Sequence, residues 1–133
     1  MTGNGEKAGP VPGRMCVDDT LAAAMTKAGL PSATRHLFFC IGPDCCATPE
    51  GQRTWEYAKA RLGELGLDVM RTKAACFRLC ERGPWLLVYP DGVWYPAVTP
   101  ERFERILQQH LVNGEIVQEW VAAVQPLNPP APK

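Results

Sequence analysis

The stretch from Thr72 to Trp94, TKAACFRLCERGPWLLVYPDGVW, decides the fold of this chain. It contains two cysteines, Cys76 and Cys80, in C-x3-C spacing, and these lead into a Gly-Pro pair. Two segments rich in β-branched and aromatic residues follow, and the Pro-Asp-Gly between them predicts a turn and an antiparallel hairpin. Two thiols in a short loop beside a hairpin indicate a soft metal centre at one end of a sheet.

Length and composition describe one ordinary globular domain. The chain has 133 residues, 46% hydrophobic and 21% charged, which is enough for a core that needs no disulfides. Its formal net charge is zero, so no global charge favours nucleic acid or a membrane surface. No apolar run reaches the roughly 18–20 residues of a membrane span, and the N-terminus lacks the apolar segment of a secretory signal. We therefore expect a cytoplasmic protein whose six cysteines serve as metal ligands or catalytic thiols rather than disulfides.

Residues 1–34 are expected to form an N-terminal extension that is partly disordered. The first fifteen of them are rich in glycine and proline. A short helix is predicted from Thr20 to about Ala28. Cys16 precedes this helix, far in sequence from the other cysteines, and is interpreted as a free thiol that packs like a small apolar side chain.

A βαβ unit is predicted between residues 36 and 72. His36–Ile41 is a short apolar run typical of a strand buried on both faces. Thr48-Pro49-Glu50 begins a helix, with the hydroxyl as its cap, and Gly66 ends it. Leu67–Thr72 alternates between apolar and polar residues, as a half-buried strand does. Two strands joined by a helix in this way are parallel, with a right-handed connection.

The hairpin, a further helix and a tail complete the predicted fold. Thr99-Pro100-Glu101 begins this helix, and its apolar stripe includes His110, which is interpreted as a packed or surface histidine. The whole is an α/β, thioredoxin-like fold with a mixed four-stranded sheet, made of a βαβ unit and then ββα, with flanking helices. A ferredoxin-like split βαβ is the competing topology. The domain is predicted to span residues 35–124, followed by a flexible tail at 125–133.

Four thiols from two loops are expected to meet at the carboxyl ends of the two parallel strands. They are Cys40, one of the pair Cys45 and Cys46, Cys76, and Cys80. Four soft thiolates favour zinc or an iron–sulfur cluster. A [2Fe–2S] cluster is wider than one zinc ion and fits ligands drawn from two such loops, whereas structural zinc sites use compact turns. From these residues alone, zinc and redox-active or unreactive thiols stay open as alternatives.

The sequence around these cysteines carries a longer pattern. HLFFC, a cysteine before a glycine, C-x3-C followed by Gly-Pro, VYPDGVWY at Val88–Tyr95 and VTPE occur in this order from His36 to about Trp120. In this pattern the chain resembles the thioredoxin-like [2Fe–2S] ferredoxins. The same cluster-binding fold occurs in the small iron–sulfur subunit of NADH dehydrogenases and hydrogenases, but the YPDGVWY hairpin points to the free-standing ferredoxins.

The resemblance implies a [2Fe–2S] cluster with Cys40 as its first ligand and Cys76 and Cys80 as its last two. It leaves two choices for the second ligand. Cys45 gives the C-x4-C spacing of the NADH dehydrogenase subunits, whereas Cys46 fits better the distance to the following glycine. Cys46 is therefore the expected ligand and Cys45 the alternative.

The implied function is that of a soluble one-electron carrier between redox protein partners, and not of an enzyme. The alternative is the iron–sulfur subunit of a larger NADH-linked oxidoreductase or hydrogenase. A hairpin with two tryptophans suggests burial against a second copy, so a homodimer is expected, as the resemblance also implies. Four cations near the cysteines outnumber Glu81 and favour a partner that is acidic at the contact surface. These cations are Arg71, Lys73, Arg78 and Arg82.

Overall fold

The computed structural model describes residues 17–30 and 32–127. The predictions for residues 1–16, Cys16 included, and for residues 128–133 of the tail lie outside these ranges. The chain divides into two compact units, Met1–Ser32 and Ala33–Lys133. No helix among the described residues is long and apolar enough to cross a bilayer.

The first unit contains helix α1, Asp19–Ala28. The Asp18 carboxylate accepts a hydrogen bond from the Leu21 N–H at 2.8 Å and so satisfies one of the free donors at the helix start. Gly29 ends the helix in the left-handed conformation, with φ 108°. The predicted helix is confirmed to within one residue.

The second unit is built on a mixed five-stranded sheet in the order β2-β1-β3-β4-β5. The strands are β1 Arg35–Cys40, β2 Val69–Ala74, β3 Leu86–Tyr89, β4 Val93–Tyr95 and β5 Ala123–Val124. β1 and β2 are parallel and the other neighbouring pairs are antiparallel. The sheet has one strand more than predicted, because the two-residue β5 is too short to give a periodic signal. Since β1 and β2 are direct neighbours, the split βαβ, in which another strand lies between the parallel pair, is excluded.

The two long helical segments begin near the predicted positions. Helix α2 is Thr48–Leu65, and helix α3 is Pro100–Ile106, which continues as a π-helical segment, Leu107–Val112. Thr99 caps α3 as predicted, accepting the Arg102 N–H at 3.2 Å. The prediction that Thr48 caps α2 is wrong. Ala47 is the cap residue, and its N–H is satisfied instead by the Glu50 carboxylate at 3.4 Å. A short 3-10 turn, Gln118–Trp120, precedes β5.

Helices α2 and α3 cover one face of the sheet, and the main core lies between them. Alternate strand residues face this core, among them Leu37, Phe39, Leu86, Val88, Val93 and Tyr95. A second, smaller cluster lies on the other face. It contains Cys40, Cys45, Trp85 and Leu87, with Phe38, Cys46, Phe77, Tyr89 and Trp94 packed against them. The cysteines therefore lie on the sheet face that these helices do not cover.

An ion pair between α2 and α3 fixes how the helices lie against each other. The Arg61 guanidinium donates two hydrogen bonds to the Glu104 carboxylate, at 2.8 and 3.0 Å. Gln108 and the Tyr57 hydroxyl donate further hydrogen bonds to the same carboxylate, at 2.8 and 2.6 Å. Together Arg61, Gln108 and Tyr57 lower the pKa of Glu104 from its usual 4.5 to about 2.

His110 is fully buried and belongs to a hydrogen-bonded network at the end of the sheet opposite to the cysteines. Its Nδ1 lies 2.8 Å from the Tyr95 hydroxyl, and its Nε2 lies 2.6 Å from the Asp91 carboxylate. Because the Tyr95 oxygen accepts the Val117 N–H at 3.0 Å, its own proton is free for Nδ1, which leaves the Nε2 proton for Asp91. Burial alone would raise the pKa of Asp91, but the His110 hydrogen bond and the Arg35 charge lower it below its usual value. Asp91 is thus a residue of the β3–β4 turn and also the hydrogen-bond partner of a buried core histidine.

Candidate metal centre

The carboxyl ends of β1 and β2 bring two cysteine-bearing loops side by side. We call residues 41–47 the first loop and residues 75–85 the second loop. Cys40 and Ala74, the last residues of the two strands, are partners in the parallel register. Backbone hydrogen bonds from Ile41 N–H to the Ala74 carbonyl (2.9 Å) and from Cys40 N–H to the Trp85 carbonyl (3.0 Å) hold the loop ends together. The backbone segments that carry the two groups of cysteines are therefore direct neighbours at this end of the sheet.

The end of β1 and the first loop bring three thiols together. Cys40 is inaccessible, Cys45 is 7% exposed, and their Sγ atoms are in contact. The Sγ of Cys46 lies 3.7 Å from that of Cys45. The Cα atoms of Cys40 and Cys45 are 7.2 Å apart, more than the roughly 6.8 Å that a disulfide usually allows. We therefore interpret this contact as two converging thiols rather than as a structural disulfide.

The second loop presents two exposed thiols, Cys76 and Cys80. Arg78 between them has a left-handed backbone, φ 68°, and its N–H donates to the Cys76 Sγ at 3.0 Å. The Asp44 carboxylate reaches across from the first loop, so that its oxygen and the two sulfurs all lie within 4.8 Å of one another. Partial desolvation and then the neighbouring Cys76 and Asp44 groups raise the pKa of Cys80.

Gly83 joins the two loops by a close backbone approach. Its N–H donates to the Cys45 carbonyl at 2.9 Å. A Cβ at this position would lie 2.7 Å from both the Cβ and the Sγ of Cys45, so only glycine fits here without a shift. The indole N–H of Trp85 donates to the Glu81 carbonyl at 2.8 Å and holds the end of the second loop. The Gly-Pro after the C-x3-C pair is thus part of the packing of the site.

The start of α2 determines the surroundings of Cys46. Burial and the nearby Glu50 carboxylate raise the pKa of Cys46, while a hydrogen bond from the Gly51 N–H offsets part of this effect. Gly51 also packs directly on the strand end, since a Cβ there would lie 2.5 Å from the Cα and carbonyl oxygen of Ile41. This glycine therefore fixes the distance between the first helical turn and the strand that ends in Cys40.

The four predicted cations are all exposed, and they lie on two different elements. Arg71 and Lys73 lie on β2, and their charged groups are 5.5 and 5.6 Å from the centroid of the Trp55 ring on α2. Arg78 and Arg82 lie in the second loop. Two exposed carboxylates, Glu81 and the unforeseen Asp44, reduce the local excess of positive charge.

The donor set fits a [2Fe–2S] cluster. Each loop brings a pair of thiols to the same sheet end, and a cluster with two irons needs two thiolates for each iron. Cys40 is buried, Cys46 is half-buried, and Cys76 and Cys80 are exposed, so such a group would be more enclosed on the side of β1 and accessible on the side of the second loop. Soft sulfur ligands in this number also match zinc, but a single zinc ion would need all four sulfurs around one centre.

Sequence reasoning missed Asp44. It follows Gly42-Pro43, and Gly-Pro-Asp is a typical turn sequence that by itself indicates no further role. Its position in the loop between two expected ligands was the available signal. No regularity of the sequence shows that the first loop folds across to the second, since that contact joins residues more than thirty positions apart.

Comparison with known proteins places the chain among iron–sulfur proteins of the same fold. No family profile matches it. Over 97 residues it is 34% identical to a protein of Aquifex aeolicus (strain VF5) named "Ferredoxin, 2Fe-2S", covering 65% of this chain and 87% of the relative. Over 55 residues it is 44% identical to a "Ferredoxin, 2Fe-2S" of Clostridium pasteurianum, covering 41% of this chain and 54% of that relative, about half its length.

A solved structure agrees with these matches. It is described as a thioredoxin-like [2Fe-2S] ferredoxin from Aquifex aeolicus. It superposes with a TM-score of 0.63 at 28% identity, covering 73% of this chain and 99% of that one. The predicted thioredoxin-like fold class is thereby confirmed.

Proposed function

The chain belongs to the family of thioredoxin-like [2Fe–2S] ferredoxins, and on this basis we propose that it carries single electrons by means of a [2Fe–2S] cluster bound between the first and second loops. The observation that supports this most directly is the delivery of two thiol pairs by adjacent loops at the ends of β1 and β2. When bound, such a cluster accepts and releases one electron at a time. The relatives reported above are ferredoxins, which favours a free carrier over a subunit of a larger oxidoreductase.

The proposed ligands are Cys40, Cys46, Cys76 and Cys80, with Cys45 as the alternative second ligand. The Sγ atoms of Cys45 and Cys46 are only 3.7 Å apart, about the spacing of two sulfurs on one metal with bonds of about 2.3 Å, so either thiol can take the second position with little movement. Cys45 is held beneath Gly83 and packs like an apolar side chain. Cys46 is half-buried at the start of α2, where the Gly51 N–H donates to its sulfur and offsets part of the rise in pKa that burial and Glu50 cause.

The residues around the two pairs have different tasks. The buried side, formed by Cys40, Trp85 and Leu87, excludes water from one half of the site. On the exposed side, the Arg78 N–H stabilises negative charge on the Cys76 sulfur. Electrons are therefore expected to enter and leave at the second loop, where the distance to a partner is shortest.

Anaerobic purification and two matched variants test the cluster and its ligands. The purified protein should contain two irons and two sulfides per chain and should give an electron paramagnetic resonance signal after one-electron reduction. Cys46→Ser should alter the absorption and the resonance signal, whereas Cys45→Ser should leave both unchanged. The reverse result would make Cys45 the ligand. A colourless protein with one zinc per chain would refute the proposed function.

We further propose that the uncovered sheet face forms a homodimer interface. It bears an open apolar depression of about 450 Å³. The residues lining it are His36, Phe38, Phe77, Leu87, Tyr89 and Leu127. Because α2 and α3 cover only the opposite face, neither of these helices covers the aromatic side chains, and a second copy would bury them.

A charge placed on this face tests the dimer. Phe38→Glu should convert a dimer into a monomer in sedimentation or light-scattering measurements of the loaded protein. Leu65→Glu is the matched control, because Leu65 is 40% exposed on α2, away from this face. A monomeric parent protein, or a Phe38→Glu variant that stays dimeric, would contradict the proposal.

The six cysteines support a reducing cytoplasm as the compartment of this protein.

The cations Arg78 and Arg82 of the second loop support a redox partner that is acidic at the contact surface. Small charged redox probes test this proposal without a known partner. Oxidation of the reduced protein by anionic ferricyanide should slow with added salt more steeply than oxidation by cationic hexaammineruthenium. Replacing Arg78 and Arg82 by glutamine should remove that difference; equal salt dependence in the parent protein would contradict it.

A further inference from the structure

Asp44 is the residue near the thiols to which neither the motif nor the fold assigns a role. Its carboxylate belongs to the first loop but lies with the sulfurs of the second, all within 4.8 Å of one another. Among the residues that the structure describes, no cation forms an ion pair with it. Its negative charge is thus free to act on whatever Cys76 and Cys80 hold.

The sign of that action follows from electrostatics. A cluster with four thiolates gains one further negative charge when it is reduced. A carboxylate next to the exposed thiol pair repels this charge and therefore disfavours the reduced form. The Arg78 N–H, which donates to Cys76, acts in the opposite direction.

We propose that Asp44 tunes the cluster electrostatically: the negative charge of its carboxylate, next to Cys76 and Cys80, lowers the reduction potential. The inference rests on the proposed function, since it needs the cluster in place. Asp44 acts through space and is not a ligand, because the four thiolates already satisfy both irons. The short distance across the two loops gives the charge its effect, and the same charge farther away on the surface would act more weakly.

The test compares three single variants of the loaded protein by redox potentiometry at low ionic strength. Asp44→Asn removes the charge at nearly constant shape, and Asp44→Glu keeps it. Asp68→Asn is the matched control: it removes one exposed charge beside Val69, which pairs with Arg35 at the far end of the sheet. Iron and sulfide analysis of the parent protein comes first, so that a failure of the proposed function is recognised separately.

Asp44→Asn should favour reduction by roughly threefold to tenfold, a shift of ~28 to ~59 mV toward positive potential for one electron. The potential of Asp44→Glu should differ from that of the parent by no more than a third of that shift, and Asp68→Asn should shift the potential less than Asp44→Asn does. The shift should shrink in 1 M salt, because the carboxylate is exposed. An unchanged potential in Asp44→Asn, or one no larger than in Asp68→Asn, overturns the inference. Loss of the parent resonance signal in Asp44→Asn also overturns it, since that would show a ligand or structural role.

Discussion

Replacing Gly51 and Gly63 by alanine, one at a time, should change stability in opposite directions although both lie in helix α2. A Cβ at Gly51 would come within 2.5 Å of the Cα and carbonyl oxygen of Ile41, whereas a Cβ at Gly63 meets no atom within 4 Å. Carbon atoms pack at about 3.5–4.0 Å, so the first substitution must move α2 or the end of β1 by about 1 Å. Overpacking of this kind costs about 3 kcal/mol at the upper end of its usual range, and alanine returns about 1 kcal/mol of helix propensity. Gly51→Ala should therefore lose about 2 kcal/mol, while Gly63→Ala should gain about 0.5–1 kcal/mol.

Thermal unfolding of the loaded protein, followed by far-ultraviolet circular dichroism, measures both changes. For a chain of this length about 1 kcal/mol corresponds to roughly 3–5 °C in midpoint. Because Ile41 directly follows Cys40, Gly51→Ala should also reduce the iron retained after gel filtration, and Gly63→Ala should not. If the two variants shift the midpoint in the same direction, the close approach of α2 to β1 is not what requires glycine at position 51.

Three further changes test other parts of the structure. Glu104 is protonated near pH 4.5 in the unfolded state but only near pH 2 in the folded state, so its contribution to stability is complete above about pH 4.5 and is lost as the pH falls to 2. In denaturant titrations the free energy of unfolding of Glu104→Gln should therefore fall less between pH 4.5 and 2 than that of the parent protein. Asp91→Ala leaves the buried Nε2–H of His110 without an acceptor and should cost about 1–3 kcal/mol in urea unfolding, and an unchanged midpoint would contradict the network. Gly83→Ala, whose Cβ would lie 2.7 Å from the Cys45 sulfur, should cost about 1–3 kcal/mol and lower the iron content; full iron content would show that the loops are not packed this closely.

The sequence allowed the order of elements and the end of the sheet that bears the thiols to be predicted, because both depend on local patterns. The apolar run of β1, the turn before β4 and the cap at Thr99 each carry their own signal. Three features depend on contacts between distant segments and gave no such signal. These are the pairing of β5 with the edge of β4, the hydrogen bond from His110 to Asp91, and the approach of Asp44 to Cys80 across the two loops. The cap at Ala47 is different, because it depends on a local contact in which the Glu50 carboxylate accepts the Ala47 N–H.

The alternation of side chains along β1 joins the electron-transfer site to the proposed dimer interface. Phe39 faces the helices, whereas Phe38 and Cys40 both belong to the cluster on the uncovered face. Phe77 in the second loop packs edge-on against Trp94 at 6.3 Å, so the loop that bears Cys76 and Cys80 rests on the same aromatic surface. A second copy that covers this surface would therefore also restrain the second loop. In such a dimer the aromatic residues of the hairpin would both support the second loop and form part of the apolar surface that the partner copy covers.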